Sequence, residues 1–208
     1  MPACVFNIIR RPNEGQSVNV FNAVIAAMEA HGRPGNVTTA LTSPQPLGSG
    51  VNVISTIRFD SFDAAEEFHD SFLTNETATT RWDETASKCQ SVDTNILESI
   101  RPVEDAPDGF VPKYMVRTIF TAKRGKRSEL IDALIENRES NPGIKGAIFK
   151  PIGYFQNVRL TQVFSSLDDV RASLAEIQSP ENRERTDKII QLTDRIIRPV
   201  SRIRYLKN

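Results

Sequence analysis

An internal repeat constrains this chain more than any single motif, because a repeated unit has to fold twice in the same way. Three segments of the N-terminal half recur in the same order in the C-terminal half. The distance between matched segments shortens along the chain, which indicates shorter loops in the second copy. The matched pairs are 20–25 (VFNAVI) with 130–135 (LIDALI), 59–63 (FDSFD) with 164–168 (FSSLD), and 100–103 (IRPV) with 197–200 (IRPV).

The repeat predicts two domains of similar size, 1–105 and 114–208, joined by a linker at 106–113. Two prolines and a glycine within that linker are typical of an irregular connection. In each copy, segments with strand-like or helix-like spacing of apolar residues follow the order β-α-β-β-α-β. This is the ferredoxin-like split βαβ arrangement. Strand 51–57 does not alternate between apolar and polar residues, so both of its faces are expected to be covered. We therefore predict an α+β fold in which the two sheets pack face to face.

Several element boundaries follow from local patterns. Apolar residues at helical spacing predict a helix over 17–31, which Gly32 ends as a C-cap. A second helical piece is predicted over 76–91, before a last strand near 96–103. In the second copy the closing strand is predicted at 199–206.

Two serines are expected to cap helices at equivalent places in the two copies. Ser61 stands where an N-cap is needed after the third strand. Ser166, with Asp169 three residues later, forms the sequence pattern of a capping box.

The element order and the strand–Phe-x-Ser–helix junction resemble the dimeric α/β barrel superfamily. That superfamily includes the antibiotic-biosynthesis-monooxygenase-like and the stress-responsive barrel proteins, and the resemblance covers nearly the whole chain. It implies a barrel closed by two sheets, with a mostly apolar cavity for a small aromatic or hydrophobic molecule. Some members are cofactor-independent oxygenases, some bind haem, and many have no known activity.

Composition excludes several classes of function. The chain has 26 basic and 26 acidic residues, so the surplus of positive charge that phosphate binding needs is absent, and no nucleic-acid partner is expected. No apolar run approaches the roughly 20 residues that cross a bilayer, and no signal peptide is evident, so we expect a cytoplasmic protein without a membrane partner. Two separated cysteines and two histidines do not form a typical zinc site, and no metal is expected. Whether two chains form a homodimer is left open.

Polar residues within apolar strands are the best candidates for chemistry. Asn7 lies between Val5 and Ile9, and its repeat partner Arg117 lies between apolar neighbours in the second copy. Burying an unpaired amide or guanidinium is unfavourable, so both need partners or a polar cavity. On a face that lines the barrel, Asn7 and Arg117 could stabilise an enolate as catalytic residues. Alternatively, they lie at a sheet edge or in a structural ion pair.

Other residues could bind the ligand beside these two. They are Thr56, Arg58 and Phe59 on the third strand, Gln162 on its counterpart, Trp82 in the helical connection, and the adjacent loop aromatics Tyr154 and Phe155. Trp82 could equally be a core residue, and the two loop aromatics could pack on the neighbouring copy or mediate self-association.

His69 is the third catalytic candidate. The equivalent position in the second copy is Leu174, so His69 could act as a base or metal ligand in the first copy alone. The chain also resembles haem-degrading members, in which an Asn on the first strand and a His on this helix accompany a Trp that ends the third strand. Here that Trp position is Phe59. We expect no cofactor, with haem as an alternative. A surface role for His69, which is flanked by acidic residues, is the other interpretation.

Three functional hypotheses follow. The first is a barrel protein that binds a small hydrophobic or aromatic molecule, and that acts as a cofactor-independent monooxygenase if it is an enzyme. The second is a structural or interaction protein with a filled barrel. The third is a haem-binding barrel protein.

Overall fold

The computed structural model describes residues 2–42, 50–104, 106–140 and 143–207. The segment 43–50 (SPQPLGSG), whose prolines and glycines predict a loop, therefore lies almost entirely outside the described residues. The first seven elements are β1 Cys4–Pro12, α1 Ser17–His31, β2 Gly35–Thr42, β3 Val53–Phe59, α2 Phe62–Thr74, α3 Glu76–Ala86 and β4 Cys89–Arg101. The rest are β5 Tyr114–Ala122, α4 Arg127–Glu139, β6 Ala147–Pro151, β7 Asn157–Phe164, α5 Leu167–Ile177, α6 Arg183–Gln191, β8 Thr193–Ile197 and β9 Val200–Lys207.

The chain divides into two compact units. The first consists of Met1–Leu97 together with Ser201–Asn208, and the second is Glu98–Val200. The domain boundaries predicted from the repeat, 1–105 and 114–208, follow the order of the sequence. Packing divides the chain differently, because β9 at the C-terminus lies next to β2 in the first unit.

Both units have the same strand order. The first unit is ordered β4-β1-β3-β2, and the second is ordered β8-β5-β7-β6. Neighbouring strands are antiparallel in the pairs β1–β3, β2–β3, β5–β7, β5–β8 and β6–β7. This is the ferredoxin-like order, and the predicted α+β class is confirmed.

One boundary prediction is wrong, and one strand of the second unit was not predicted. The helical piece predicted over 76–91 ends at Ala86, and β4 begins at Cys89. The closing strand predicted at 199–206 is the second of two, because β8 precedes it at Thr193–Ile197. The isoleucines of β8 follow those of α6 closely, so a period-based analysis extends the helix across them.

Both faces of β1 are buried, because the apolar residues of its sequence CVFNII do not alternate with polar ones. Cys4, Phe6 and Ile8 belong to the core that packs against α1 and α2. Val5 and Asn7 point to the opposite face and are buried as well. The face on which a polar residue lies therefore determines whether its side chain contacts the helices or the opposite side of the sheet.

Capping stabilises the helices that follow β3 and β7. The Ser61 hydroxyl oxygen accepts a hydrogen bond from the Ala64 N–H at 3.1 Å. Ser166 and Asp169 form a complete capping box, as predicted. At the end of α1, Gly32 adopts φ +67°, a left-handed conformation that glycine takes without strain. Among the described residues, no helix is long and apolar enough to cross a membrane.

Candidate functional site

The first unit contains a cavity of about 570 Å³ between its sheet and its three helices. The strands β1 and β3 form the floor, while α1, α2 and α3 form the walls. Most of the lining is apolar, and the volume falls within the range typical of small-molecule sites. Its apolar residues include Ile8, Val24, Met28, Ile57, Phe68, Phe72 and Trp82.

Aromatic side chains form one wall of the cavity. Phe68 and Phe72 are four residues apart, so they share one face of α2, and their ring centroids are 5.0 Å apart. Trp82 on α3 continues the row, with its ring centroid 5.1 Å from that of Phe72. The Phe68 and Phe72 rings meet edge to face, and the Phe72 and Trp82 rings are tilted against each other. Such a wall offers an aromatic molecule both ring faces and ring edges to contact.

Arg10 is the most deeply buried charged residue in this lining. It lies at the end of β1 with 6 % of its surface exposed, and its Nη1 atom donates a hydrogen bond to the Ser55 hydroxyl oxygen at 3.1 Å. The guanidinium carbon lies 5.2 Å from the centroid of the Trp82 ring. Burial lowers the pKa of Arg10 to about 10, so the side chain is charged at neutral pH.

His31, at the C-terminal end of α1, also lines the cavity. Its Nδ1 atom accepts a hydrogen bond from the backbone N–H of Arg33 at 3.1 Å, and its Nε2 atom lies 3.2 Å from the Met28 sulfur. Burial, followed by the charge of Arg33, lowers the pKa of His31 below its usual value, so the ring is neutral at pH 7. With Nδ1 accepting, the proton resides on Nε2, and His31 is a donor rather than a base.

Three further charged residues line the cavity. Arg33 stacks on the Phe59 and Phe68 rings, with its guanidinium carbon 5.1 Å and 5.6 Å from their centroids. Arg81 and Glu84 lie on the exposed side of α3 and line the cavity from there. The lining therefore carries more positive than negative charge.

Of the predicted site residues in the first unit, only Trp82 lines this cavity. Asn7 and Thr56 lie opposite each other on the other face of the sheet, and the Thr56 hydroxyl donates to Asn7 Oδ1 at 2.8 Å. Arg58 is on that same face, and burial lowers its pKa. Phe59 is a core residue whose ring centroid lies 5.3 Å from that of Phe68.

His69 lies away from the cavity, although it is on the predicted helix α2. Its side chain is 59 % exposed, and its Nδ1 atom lies 3.7 Å from an Asp70 carboxylate oxygen. The ring centroid is 6.3 Å from that of Phe6. The structure therefore places His31, and not His69, among the lining residues.

The predicted residues of the second unit do not form one cluster. Arg117 is buried opposite Thr161, whereas Gln162 is opposite Val116 and so points to the other face of the sheet. Gln162 therefore does not join Arg117. Tyr154 and Phe155, in the loop after β6, are 56 % and 84 % exposed.

Arg159 is a buried charge that the sequence analysis missed. It lies on β7 on the same face as Arg117, and its guanidinium carbon is 4.7 Å from the centroid of the Phe149 ring. Burial, followed by the charge of Arg117, lowers the pKa of Arg159 to about 9. Its Nε atom is buried without a hydrogen-bond partner among the described residues.

The second unit also has a groove of about 780 Å³, lined mainly by α6. Its lining is open and charged, and charges within it pair with each other, as in the 2.6 Å contact between Lys188 Nζ and a Glu136 carboxylate oxygen. It therefore lacks the apolar lining of a small-molecule site. In the described ranges, no group of three or more His, Cys, Asp or Glu side chains is arranged to hold a metal ion.

The sequence pattern of β1 indicates the position of Arg10, a cavity residue of the first unit that was not predicted. Phe6, Ile8 and Arg10 alternate along β1, so the period of two places Arg10 on the apolar face that packs against the helices. A charged residue at the end of an apolar face indicates a polar group in the core or a cavity. The site residue predicted on β1, Asn7, belongs to the other set of alternating positions.

Solved structures match the fold of this chain, but no protein family matches its sequence. No protein-family model matches the chain, and no curated protein matches it. A protein from Fusobacterium nucleatum described as a "putative monooxygenase" superimposes with a TM-score of 0.69 at 10 % identity, over 100 % of this chain and 95 % of that one. A protein from Lactobacillus acidophilus with the same description gives 0.62 at 13 % identity, over 97 % and 93 % of the two chains.

Two further solved structures extend this comparison. An anthrone oxidase-like protein superimposes with a TM-score of 0.62 at 12 % identity, over 100 % of this chain and 95 % of that one. A chlorite dismutase variant from Candidatus Nitrospira defluvii gives 0.57 at 7 % identity, over 99 % and 93 % of the two chains. The fold is that of the dimeric α/β barrels, as the resemblance implied.

Proposed function

We propose that this chain, which has the dimeric α/β barrel fold, binds a small and mainly apolar molecule with an aromatic ring in the cavity of its first unit. The observation that supports this is the cavity of about 570 Å³ with the wall formed by Phe68, Phe72 and Trp82. A core without a ligand would close around its side chains, since protein interiors pack to the density of organic crystals.

The single tryptophan of the chain makes this proposal testable, because Trp82 itself lines the cavity. N-phenyl-1-naphthylamine, a neutral aromatic probe, should quench Trp82 fluorescence saturably in the wild-type protein. Ala27→Phe places a ring into the cavity and should abolish this quenching. Ala172→Phe, on the exposed side of α5 in the second unit, is the matched control and should bind like wild type. Equal binding by all three proteins would contradict the proposal.

Cofactor-independent oxygenation is a second candidate function. It is favoured by the Arg10–Ser55 pair, which could stabilise an enolate oxygen within an aromatic cavity. Arg10 and Ser55 would then have the role that was predicted for Asn7 and Arg117, which is to stabilise the enolate. The similarity to an anthrone oxidase-like protein suggests anthrone as the probe.

The oxygenation reaction is balanced with O₂ as the only oxidant. The methylene carbon of anthrone loses two hydrogens and gains one oxygen atom as a carbonyl group, and the second oxygen atom leaves as water. Oxygen uptake with one anthraquinone formed per O₂, and a loss of rate in Arg10→Met, would support turnover. A rate equal to that without protein would leave the chain as a binding protein.

Haem does not fit the histidines that the structure describes. An axial ligand needs an available imidazole nitrogen. In His31 one nitrogen accepts a backbone N–H and the other faces the Met28 sulfur, while His69 lies outside the cavity. We therefore propose that the cavity works without haem. Titration with haemin should give no Soret shift that depends on His31 or His69.

The structural or interaction hypothesis makes the opposite prediction. A protein with a filled interior would have no cavity of ligand size, and the first unit has one of about 570 Å³. We therefore place ligand binding first. Failure of neutral aromatic probes to quench Trp82 would favour the structural hypothesis.

A further inference from the structure

Among the described residues of the first unit's core, Arg10 has no counter-charge. Its Nη1 atom bonds to the neutral Ser55 hydroxyl, and among the described residues no carboxylate lies within ion-pair distance of its guanidinium. The remaining N–H groups of Arg10 make no hydrogen bond in the described part of the chain. A buried cation without a counter-charge is unfavourable, so an Arg here needs a reason beyond packing.

Cys89 does not supply the missing negative charge. Among the described residues it is the one acidic group that interacts electrostatically with Arg10, and burial raises the pKa of the Cys89 thiol more than Arg10 lowers it. The thiol is therefore neutral at pH 7. The carboxylate of Glu84, which also lines the cavity, belongs to an exposed residue on α3.

The surroundings of Arg10 are open to a ligand on one side. Arg10 lines the cavity, while Ser55 below it and Trp82 beside it hold the guanidinium in place. Arg33 and Arg81 add positive charge to the same lining. A guanidinium offers several N–H donors in a planar fork, and that fork matches an anionic oxygen group such as a carboxylate.

We propose that the ligand of this cavity is an aromatic acid whose anionic oxygen group binds Arg10. This rests on the proposed function, since it assigns the charge of a ligand that the aromatic wall would hold. The anionic group takes the place of the missing counter-charge, and the aromatic ring lies along Phe68, Phe72 and Trp82.

A matched pair of probes tests the charge alone. N-phenyl-1-naphthylamine is neutral, and 8-anilinonaphthalene-1-sulfonate has the same ring system with an added sulfonate. Both are titrated into wild type, Arg10→Met and Arg10→Lys, with Trp82 quenching as the signal. Arg159→Met, which removes a buried arginine of the second unit, is the control.

The expected result is selective. Arg10→Met should weaken binding of the anionic probe about tenfold or more, as loss of a charge-assisted hydrogen bond predicts, and leave the neutral probe within about threefold. Arg10→Lys should retain part of the preference, and Arg159→Met should bind both probes like wild type. Displacement of the neutral probe by 2-naphthoate, and not by 2-naphthamide, would extend the result to a carboxylate.

The other outcomes would reject either the anionic ligand alone or the aromatic cavity as well. If Arg10→Met weakens both probes equally, or neither, the anionic ligand is wrong while the aromatic cavity stands. If neither probe quenches Trp82 in wild type, the proposed function fails and this inference fails with it. If Arg10→Met does not fold, the wild-type comparison decides, because weaker binding of the anionic probe than of the neutral one would overturn the proposal.

Discussion

The Arg10 guanidinium lies over the Trp82 ring, with its central carbon 5.2 Å from the ring centroid. Through this contact the end of β1 is joined to α3 across the cavity of the first unit. Trp82 also contacts Phe72 on α2, so one indole ring links three elements that form the cavity.

Replacing Trp82 should therefore lower the stability of the protein. Trp82→Leu removes the contacts with Arg10 and Phe72, each of which contributes about 0.5–1.5 kcal/mol. We expect the free energy of unfolding to fall by about 1–3 kcal/mol, and Trp82→Phe to lose roughly half as much. Urea unfolding followed by circular dichroism measures both. Equal losses in the two variants would show that volume, and not the ring contacts, determines the effect.

The two histidines should behave differently when replaced. His31 lines the cavity and its ring centroid lies 5.5 Å from that of Phe68, whereas His69 is mostly exposed. We expect His31→Ala to weaken binding of N-phenyl-1-naphthylamine several-fold and His69→Ala to leave it unchanged. Fluorescence titration measures both affinities. A loss confined to His69→Ala would support the original sequence hypothesis for that residue.

Much of the fold was accessible from the sequence because it depends on local periods. The lack of alternation in β1, the helical spacing in α1 and the Ser–helix junctions are short-range patterns, and the structure confirms them. The strand β8 was not predicted, because its isoleucines continue the spacing of those in α6. Packing, and not sequence order, places β9 in the first unit.

The site was harder to predict because it depends on which face of a strand packs against the helices. Asn7 and Arg10 are three residues apart on one strand, and they point to opposite faces. The sequence shows both as polar residues among apolar ones. Only the long-range packing of α1, α2 and α3 leaves space beside Arg10.

The two serine caps allow a direct comparison between the units. Ser61 and Ser166 each accept a backbone N–H from the residue three positions on, at 3.1 Å in both cases. We expect Ser61→Ala and Ser166→Ala each to lower the free energy of unfolding by about 1 kcal/mol. Urea unfolding of each variant measures this. Ser128→Ala, at an exposed position of α4, is the control, and a larger loss there would contradict the assignment.

The capping carboxylate of Asp169 should give a pH dependence. Hydrogen bonds from Ser165 and Ser166 lower the pKa of Asp169 in the folded protein. A depressed carboxyl pKa stabilises the fold above the unfolded value of about 3.9, and this stabilisation is lost as the pH falls through the folded value. The difference in stability between wild type and Asp169→Asn should therefore be present at pH 7 and shrink below about pH 4. A difference that is constant with pH would show that the charge plays no part.

Arg159 should be replaceable by an apolar residue without loss of stability. It is 6 % exposed, it stacks on Phe149, and no carboxylate of the described residues pairs with it. Removing an uncompensated buried charge relieves desolvation, so Arg159→Met should leave the free energy of unfolding unchanged or raise it by up to about 3 kcal/mol at pH 7. Arg171→Met, at an exposed surface ion pair with Asp168, should change it by less than about 0.5 kcal/mol.

The pH dependence of Arg159→Met follows from the same burial. The folded pKa of Arg159, about 9, lies below that of the unfolded chain, so the unfolded state binds more protons between the two values. The penalty of burying the charge is therefore complete below pH 9 and declines as the pH rises above it. Urea unfolding at pH 7 and pH 10 should show the advantage of Arg159→Met narrowing at the higher pH. A loss of more than about 2 kcal/mol in this variant would instead mean that the guanidinium binds a partner that stabilises the second unit.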